Sequence, residues 1–469
     1  MILINKFLYL NNINFYFMII TPENLGSVQF RKDYNVRFSY VAGAMAKGIS
    51  SVKLVTSMSK SGYLSFYGTG GMSLLEIEEA LKKIKSILKN NESYGMNVLA
   101  NLSNLKHEMD LVNLLLDYDV HNIEASAFVQ ITPSLVKFRL KGLHVDNNRK
   151  IISNNRIIAK VSRPEIALLF LNPAPSEIVN KLLLNNHISQ KEADLSQKIP
   201  LASDICVEAD SAGHTDMGVT SVLLPTIIRL RDKMQEKYNF YNFVRIGSGG
   251  GIGTPEAAAC AFLLGADFIV TGSINQCTVE AGTSDIVKDM LQDINIQDTA
   301  YAPAGDMFEL GSKIQVLKRG VLFPMRANKL YDIWRVYSSL DQIPSVMQRE
   351  IQDRYLKRSF DEVYQETKSY YLKELPEEIE KAEKFPKIKM ALIFRWYFIY
   401  AMRIALKGEG DKIDYQVHTG PAMGAYNQWI KKTSLENWRN RYVNKISEDL
   451  MLACSEYLNK KFQVFFPNH

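Results

Sequence analysis

Cysteine is scarce in this chain. Cys206, Cys260, Cys277 and Cys454 are four in 469 residues, widely spaced, with no CxxC pair and no paired histidine at ligand spacing beside them. That excludes a disulfide scaffold or structural zinc site and leaves buried thiols in a reducing compartment as the expectation. Charge of one sign is equally lacking. Lys plus Arg number 56 against 50 Asp plus Glu, and +6 at this length gives no reason to expect nucleic acid without a clustered basic stripe. Long apolar runs are missing as well. Met390 to Leu406 contains Arg395 and Arg403 and is shorter than the ~20 residues of a spanning helix, so a buried helix is expected there. The first twenty residues are apolar but broken by Asn5, Lys6, Asn11, Asn12 and Asn14, with no small-residue cleavage site after them. They read as a leading strand or loose extension rather than a signal peptide, with no membrane segment and a cytoplasmic location.

What is present is ordinary globular composition, 46 % hydrophobic and 23 % charged, arranged in a strong alternation. Eight β-rich runs stand out: Arg37–Val41, Tyr63–Tyr67, Tyr94–Leu99, Asn122–Ser126, Ile157–Val161, Asp204–Ala209, Phe243–Gly247 and Asp267–Thr271. Helical patterns separate them, clearest over Ser73–Lys89 and Pro255–Leu264. Eight such units predict an α/β fold, a (β/α)8 TIM barrel. A doubly wound sheet would carry its glycines after the first strand, whereas here they follow runs seven and eight. Lys141–Arg156 and Pro173–Pro200 are insertions, expected beside the loop face. The division expected is an extension over 1–33, the barrel over 34–319, and a mostly helical C-terminal subdomain over 320–469 packed on it.

In such a barrel chemistry sits at the C-terminal strand ends, with phosphate often held after strands seven and eight. Run seven leads into Gly247-Ser248-Gly249-Gly250-Gly251-Ile252-Gly253-Thr254-Pro255, then a helix; run eight ends Thr271-Gly272-Ser273. Glycines admit close backbone approach, and free N–H groups hold an anion, so the two loops make a phosphate cup. His214, in Ala212-Gly213-His214-Thr215 after run six, is the candidate for proton transfer. Glu208 and Asp210 raise a metal site with His214, but their alternation leaves no third ligand. Lys160 among apolar strand residues has three readings: a cofactor contact, a Schiff-base nucleophile, or a lysine snorkelling at the rim. Asn97 and Met45 close runs three and one and say nothing alone.

These motifs, with Tyr40-Val41-Ala42-Gly43-Ala44-Met45-Ala46, Val161-Ser162-Arg163-Pro164-Glu165, Val270-Thr271-Gly272-Ser273-Ile274-Asn275-Gln276, Asp306-Met307-Phe308-Glu309 and Gly420-Pro421-Ala422-Met423-Gly424-Ala425-Tyr426-Asn427, resemble the flavin barrels of the nitronate monooxygenase superfamily. More narrowly, the chain resembles the PfaD-type trans-acting enoyl reductases of polyunsaturated fatty acid and trans-acyltransferase polyketide synthases, from about residue 34 to 455. The resemblance implies FMN-dependent reduction of an enoyl thioester on an acyl carrier protein, with NADPH as reductant. It implies FMN phosphate at Gly249, Gly250, Gly251, Thr271, Gly272 and Ser273. The flavin ring and ribityl chain would lie near Gly43, Ala44, Met45, Asn97, Lys160 and Gly213, with His214 beside them. No metal is implied, and superfamily relatives imply a homodimer. A nitronate-type flavin oxidase on a small substrate is the alternative. Two departures stand out: residues 1–33 look shorter and more apolar than usual, and Met217-Gly218 replace polar or basic residues after His214. The carrier would seek a local basic cluster. Candidates are Arg354-Lys357-Arg358, Lys384-Lys387-Lys389, Lys431-Lys432 and Arg439-Arg441.

Overall fold

The computed structural model describes residues 19–90, 92–101 and 104–465; the expected leading strand or extension falls largely outside them. Eight parallel strands close a barrel in sequential order: β1 (Tyr40–Ala42), β2 (Leu64–Tyr67), β3 (Gly95–Leu99), β4 (Asn122–Ser126), β5 (Arg156–Val161), β6 (Asp204–Glu208), β7 (Arg245–Gly249) and β8 (Ile269–Thr271). Closure is the β1–β8 register, Tyr40 opposite Ile269 and Ala42 opposite Thr271. Side chains alternate. Val41, Leu64, Phe66, Ile158, Cys206, Phe268 and Val270 form one buried cluster inside, while residues of opposite parity such as Tyr40, Ile157, Ile205 and Ile269 pack outward under the helices. Inside, Phe268 leaves no room at β7: a Cβ on Gly247 would lie 2.4 Å from its ring.

The helix Val28–Tyr34, N-capped by Ser27, seals the N-terminal end of the barrel. Phe30 stacks on Phe268 with ring centroids 4.5 Å apart, and Tyr34 Oη donates to Asp204 Oδ2 at 2.6 Å. Arg245 reaches both Asp204 and Asp33, so the floor is an apolar plug rimmed by a paired charge network. The expected helix over Ser73–Lys89 is Leu74–Ile87, started by a Ser73–Glu76 capping box. Pro255–Leu263 starts from a Thr254 cap with proline in its first turn.

Both insertions lie at the N-terminal rim, contrary to the expectation that they flank the loop face. Each joins a helix to the following strand, and in a parallel barrel every such link falls at the strand starts. Residues 141–156 contain a small hairpin, His144–Val145 with Ile151–Ile152, and residues 173–200 contain the helices Ser176–Leu184 and Gln190–Leu195. Gly142 N–H donates to Glu192 at 2.6 Å, tying the two together.

After β6 the strand Gly213–Thr215 joins Lys313–Leu317, which in turn pairs with Thr299–Pro303, in an antiparallel sheet. Residues from Ala302 to Ala401 build a second apolar core, while Ile404, Tyr415, Met423, Tyr426 and Leu450 return to the barrel shell. The last helix, Val443–Phe465, packs on Pro255–Leu263 and Val52–Lys60. Met390 to Leu406 lies within the helix Pro386–Lys407, which buries Met390, Phe394, Tyr397 and Phe398 as expected. Among the described residues no helix is long and apolar enough to cross a membrane. Three thiols are buried, but Cys260 is exposed: its helix turns Ala258, Ala259 and Ala261 inward and Cys260 out.

Candidate active site

The loops after β7 and β8 meet at the C-terminal mouth. Gly250 and Gly251 hold φ of +87° and +73°, a left-handed turn that favours glycine. A Cβ on Gly250 would lie 2.7 Å from the Ala209 carbonyl oxygen, but one on Gly251 or Gly272 would meet nothing within 4 Å. Above Gly251 and Gly272 there is therefore open space lined by backbone. Ser273 starts the short turn Ser273–Gln276 after Gly272. Thr271 contributes backbone only: its hydroxyl turns outward to Tyr40 Oη and Asn275, and its carbonyl accepts from Gly43 N–H at 2.9 Å.

Lys160 reaches from β5 to Glu208 at the end of the neighbouring strand β6, Nζ to Oε1 at 2.9 Å. Burial works against its charge, but Glu208 and then Glu124 outweigh it and hold the ammonium well above its ordinary pKa. The ion pair with Glu208 engages the nitrogen that a Schiff base would need free, so the geometry favours a charged contact over a nucleophile. Glu124, on β4 and 1 % exposed, accepts from Ala44 N–H through Oε2 at 2.9 Å, while its Oε1 has no partner. Burial raises its pKa, and the Lys160 charge opposes the rise. Asn97 donates to the Glu124 carbonyl at 3.0 Å and to Ser126 Oγ at 2.9 Å, bracing β3 on β4. Met45 N–H is held by Ser50 Oγ at 2.9 Å. Gly43, Ala44, Met45, Asn97, Lys160 and the glycine loops thus share one end of the barrel. Glu124 was not singled out in the sequence, although an acid inside a strand of inward parity is the same signal that marked Lys160.

His214 stands on the strand Gly213–Thr215, opposite Ile314. Its side chain is 46 % exposed, and Nε2 lies 2.9 Å from Asp306 Oδ1. Neighbouring protein atoms disfavour its charge, but the hydrogen bond and charge of Asp306 prevail and raise its pKa. His418, bridged opposite Val316, is the next histidine: burial and then the His214 charge push it down to about 4. The sheet is clamped by Asp210, which accepts from Thr215 Oγ1 at 2.8 Å, Tyr301 Oη at 2.5 Å and Gln315 Nε2 at 3.3 Å. Glu208 and Asp210 thus turn to different partners. Asp216 accepts two bonds from Arg163, at 3.0 and 2.7 Å, pinning the Met217-Gly218 loop to the end of β5. Asp306 and His418 are separated from His214 by long stretches of sequence, and nothing in their spacing announces that they meet.

The basic clusters are largely consumed. Lys357 pairs with Asp414, Arg358 with Glu366 and Arg439 with Asp289, and Lys387 donates to main-chain carbonyls. Arg441 is fully buried. Arg354, Lys384, Lys431 and Lys432 are exposed and make no ion pair among the described residues.

The closed (β/α)8 barrel is an architecture shared with FabK from Thermotoga maritima. That likeness is one of fold, with TM-score 0.56 and 16 % identity over 93 % of this chain and 98 % of that one. The enoyl reductase domain of MlnA, from the macrolactin biosynthesis cluster of Bacillus amyloliquefaciens, matches at TM-score 0.91 and 43 % identity, covering 94 % of this chain and all of that one (100 %). The polyketide biosynthesis protein PksE of Bacillus subtilis (strain 168) is 51 % identical over 452 residues, 96 % of this chain. A polyunsaturated fatty acid synthase component of Thraustochytrium sp. is 43 % identical over 421 residues, 89 % of this chain. The chain spans 58 % of PksE and 28 % of the Thraustochytrium protein. Residues 337–415 match the inserted helical domain of [acyl-carrier-protein] S-malonyltransferase. The chain belongs to the PfaD-type enoyl reductase family of polyketide and polyunsaturated fatty acid synthases.

Proposed function

We propose that the chain reduces the α,β-double bond of an enoyl thioester carried on an acyl carrier protein, using FMN and NADPH. The observation that carries this reading is the 43 % identity along the whole of the MlnA enoyl reductase domain. The residues at the mouth fit a flavin nucleotide. Open backbone over Gly251 and Gly272 suits its phosphate, and the unpartnered, buried Glu124 Oε1 suits a polar atom of its ring or chain. Gly43 to Met45, Asn97, Lys160 and Gly213 would complete the lining. Bound FMN supplies a two-electron carrier between NADPH and the β-carbon.

The chain's own residues do the rest. Backbone N–H groups at the two glycine loops hold the phosphate without a side chain having to be ordered. Lys160 keeps a fixed positive charge in the barrel because Glu208 pairs with it in a water-poor setting. His214 holds the proton destined for the α-carbon. Within the four basic clusters, the exposed Arg354, Lys384, Lys431 and Lys432 make no ion pair among the described residues and are the ones offered to an acidic carrier.

The test is the visible spectrum of the purified protein, followed anaerobically. Flavin bands that bleach with NADPH and return with an enoyl thioester on its carrier are the expected result. Return only with oxygen or a nitronate would replace the reading by the nitronate-type oxidase.

A further inference from the structure

We propose that Asp306 is the positioning residue of His214, fixing its Nε2–H so that Nδ1 is the atom that exchanges a proton with substrate. This deepens the enoyl reductase reading and rests on it for the identity of the substrate.

The argument starts from the sheet. His214 is held opposite Ile314, and Asp306 lies in the loop between Thr299–Pro303 and Lys313–Leu317, the other two strands of the same sheet. Both partners therefore hang from one hydrogen-bonded unit. An ionised carboxylate only accepts, so at 2.9 Å the proton between Asp306 Oδ1 and His214 Nε2 belongs to the imidazole. In the neutral ring that leaves a lone pair on Nδ1; in the protonated ring it leaves an Nδ1–H donor. Asp306 thus selects which nitrogen is available.

The other charged groups near His214 agree with this assignment. His418 is held neutral by burial and does not compete for the carboxylate as a cation. Glu208 is already paired with Lys160. Lys313, opposite Thr215, lays its ammonium over the Tyr331 ring. Asp306 is the ionic partner of His214, and it biases the ring toward imidazolium. In the step itself the Nδ1–H bond breaks and a C–H bond forms at the α-carbon. NADPH is the source of the hydride that ends on the β-carbon, and solvent returns the proton to Nδ1.

Imidazole-detected nitrogen NMR on the flavin-loaded protein tests the assignment without turnover, the His214 signal being identified by its loss in His214→Ala. The wild-type protein should show the Nε2–H tautomer and a titration midpoint above that of free histidine. Asp306→Asn should lower that midpoint by about one pH unit or more and mix the tautomers, and Asp306→Glu should restore part of both. Because the protonated ring is the donor, enoyl reduction should fall as pH rises through the midpoint, and in Asp306→Asn the fall should move to lower pH by the same amount. An unchanged midpoint and tautomer in Asp306→Asn would overturn the positioning role. A shifted midpoint with an unshifted rate profile would overturn proton exchange at His214. A shifted midpoint in a protein that reduces no enoyl thioester would leave Asp306 positioning His214 and overturn the substrate reading instead.

Discussion

At the scale of single residues, the three glycines of the cradle separate folding from binding. Gly250 is required by the chain itself: its φ is +87° and an added Cβ would press on the Ala209 carbonyl. Gly250→Ala should therefore cost the fold about 1–3 kcal/mol, read by denaturant unfolding. Gly272 has a φ of −135° and open space where its Cβ would be. Gly272→Ala should keep stability within about 1 kcal/mol of the parent. If a phosphate sits in that space, FMN affinity, read by fluorescence quenching, should nonetheless fall about tenfold or more, a loss of about 1.4 kcal/mol. Unchanged affinity would move the phosphate elsewhere. Lys160 makes the complementary point: a charge inside a barrel persists because a second charge meets it, and its sequence context showed the need for a partner without naming Glu208.

At the scale of elements, what could be read from the chain was whatever local pattern decides. All eight strands follow from runs that bury residues on both faces, and the Leu74–Ile87 helix follows from its capping box. Strand ends were less legible. β7 was expected to stop at Gly247 but runs to Gly249, because Ser248 and Gly249 continue the pairing with both neighbouring strands, Gly249 lying against Cys206 where a side chain would crowd it. Illegible altogether was the short sheet that carries His214. Its first strand, Gly213–Thr215, comes from a part of the chain distant from the other two and is clamped to them by Asp210, a contact no local pattern encodes. The sheet gives a prediction of its own. Asp210→Ala removes the acceptor shared by Thr215, Tyr301 and Gln315, so enoyl turnover should drop about tenfold or more while FMN affinity stays within about twofold. Equal losses in both would mean that the sheet supports the cradle and not the proton donor. Asp306 and His418 were missed for the same reason: each comes to His214 only through this sheet.

At the scale of the whole molecule, the second core between Ala302 and Ala401 and the return of residues near the C-terminus to the barrel shell make the helical part a buttress rather than a tethered module. Its innermost charges are spent on itself, as Arg326, Lys357 and Tyr397 converge on Asp414. A carrier protein would have only the outermost cations to grip. The sealed floor has a different consequence. With Phe30 and Phe268 stacked across the N-terminal end and Arg245 locked between Asp204 and Asp33, the barrel has one doorway. On the proposed reaction, NADPH and the acyl chain would share that doorway and take turns, the spent reductant departing before the acyl chain enters. Initial rates measured against NADPH at several enoyl concentrations should give parallel double-reciprocal lines, the mark of a ping-pong order, and each substrate in excess should inhibit by occupying the doorway meant for the other.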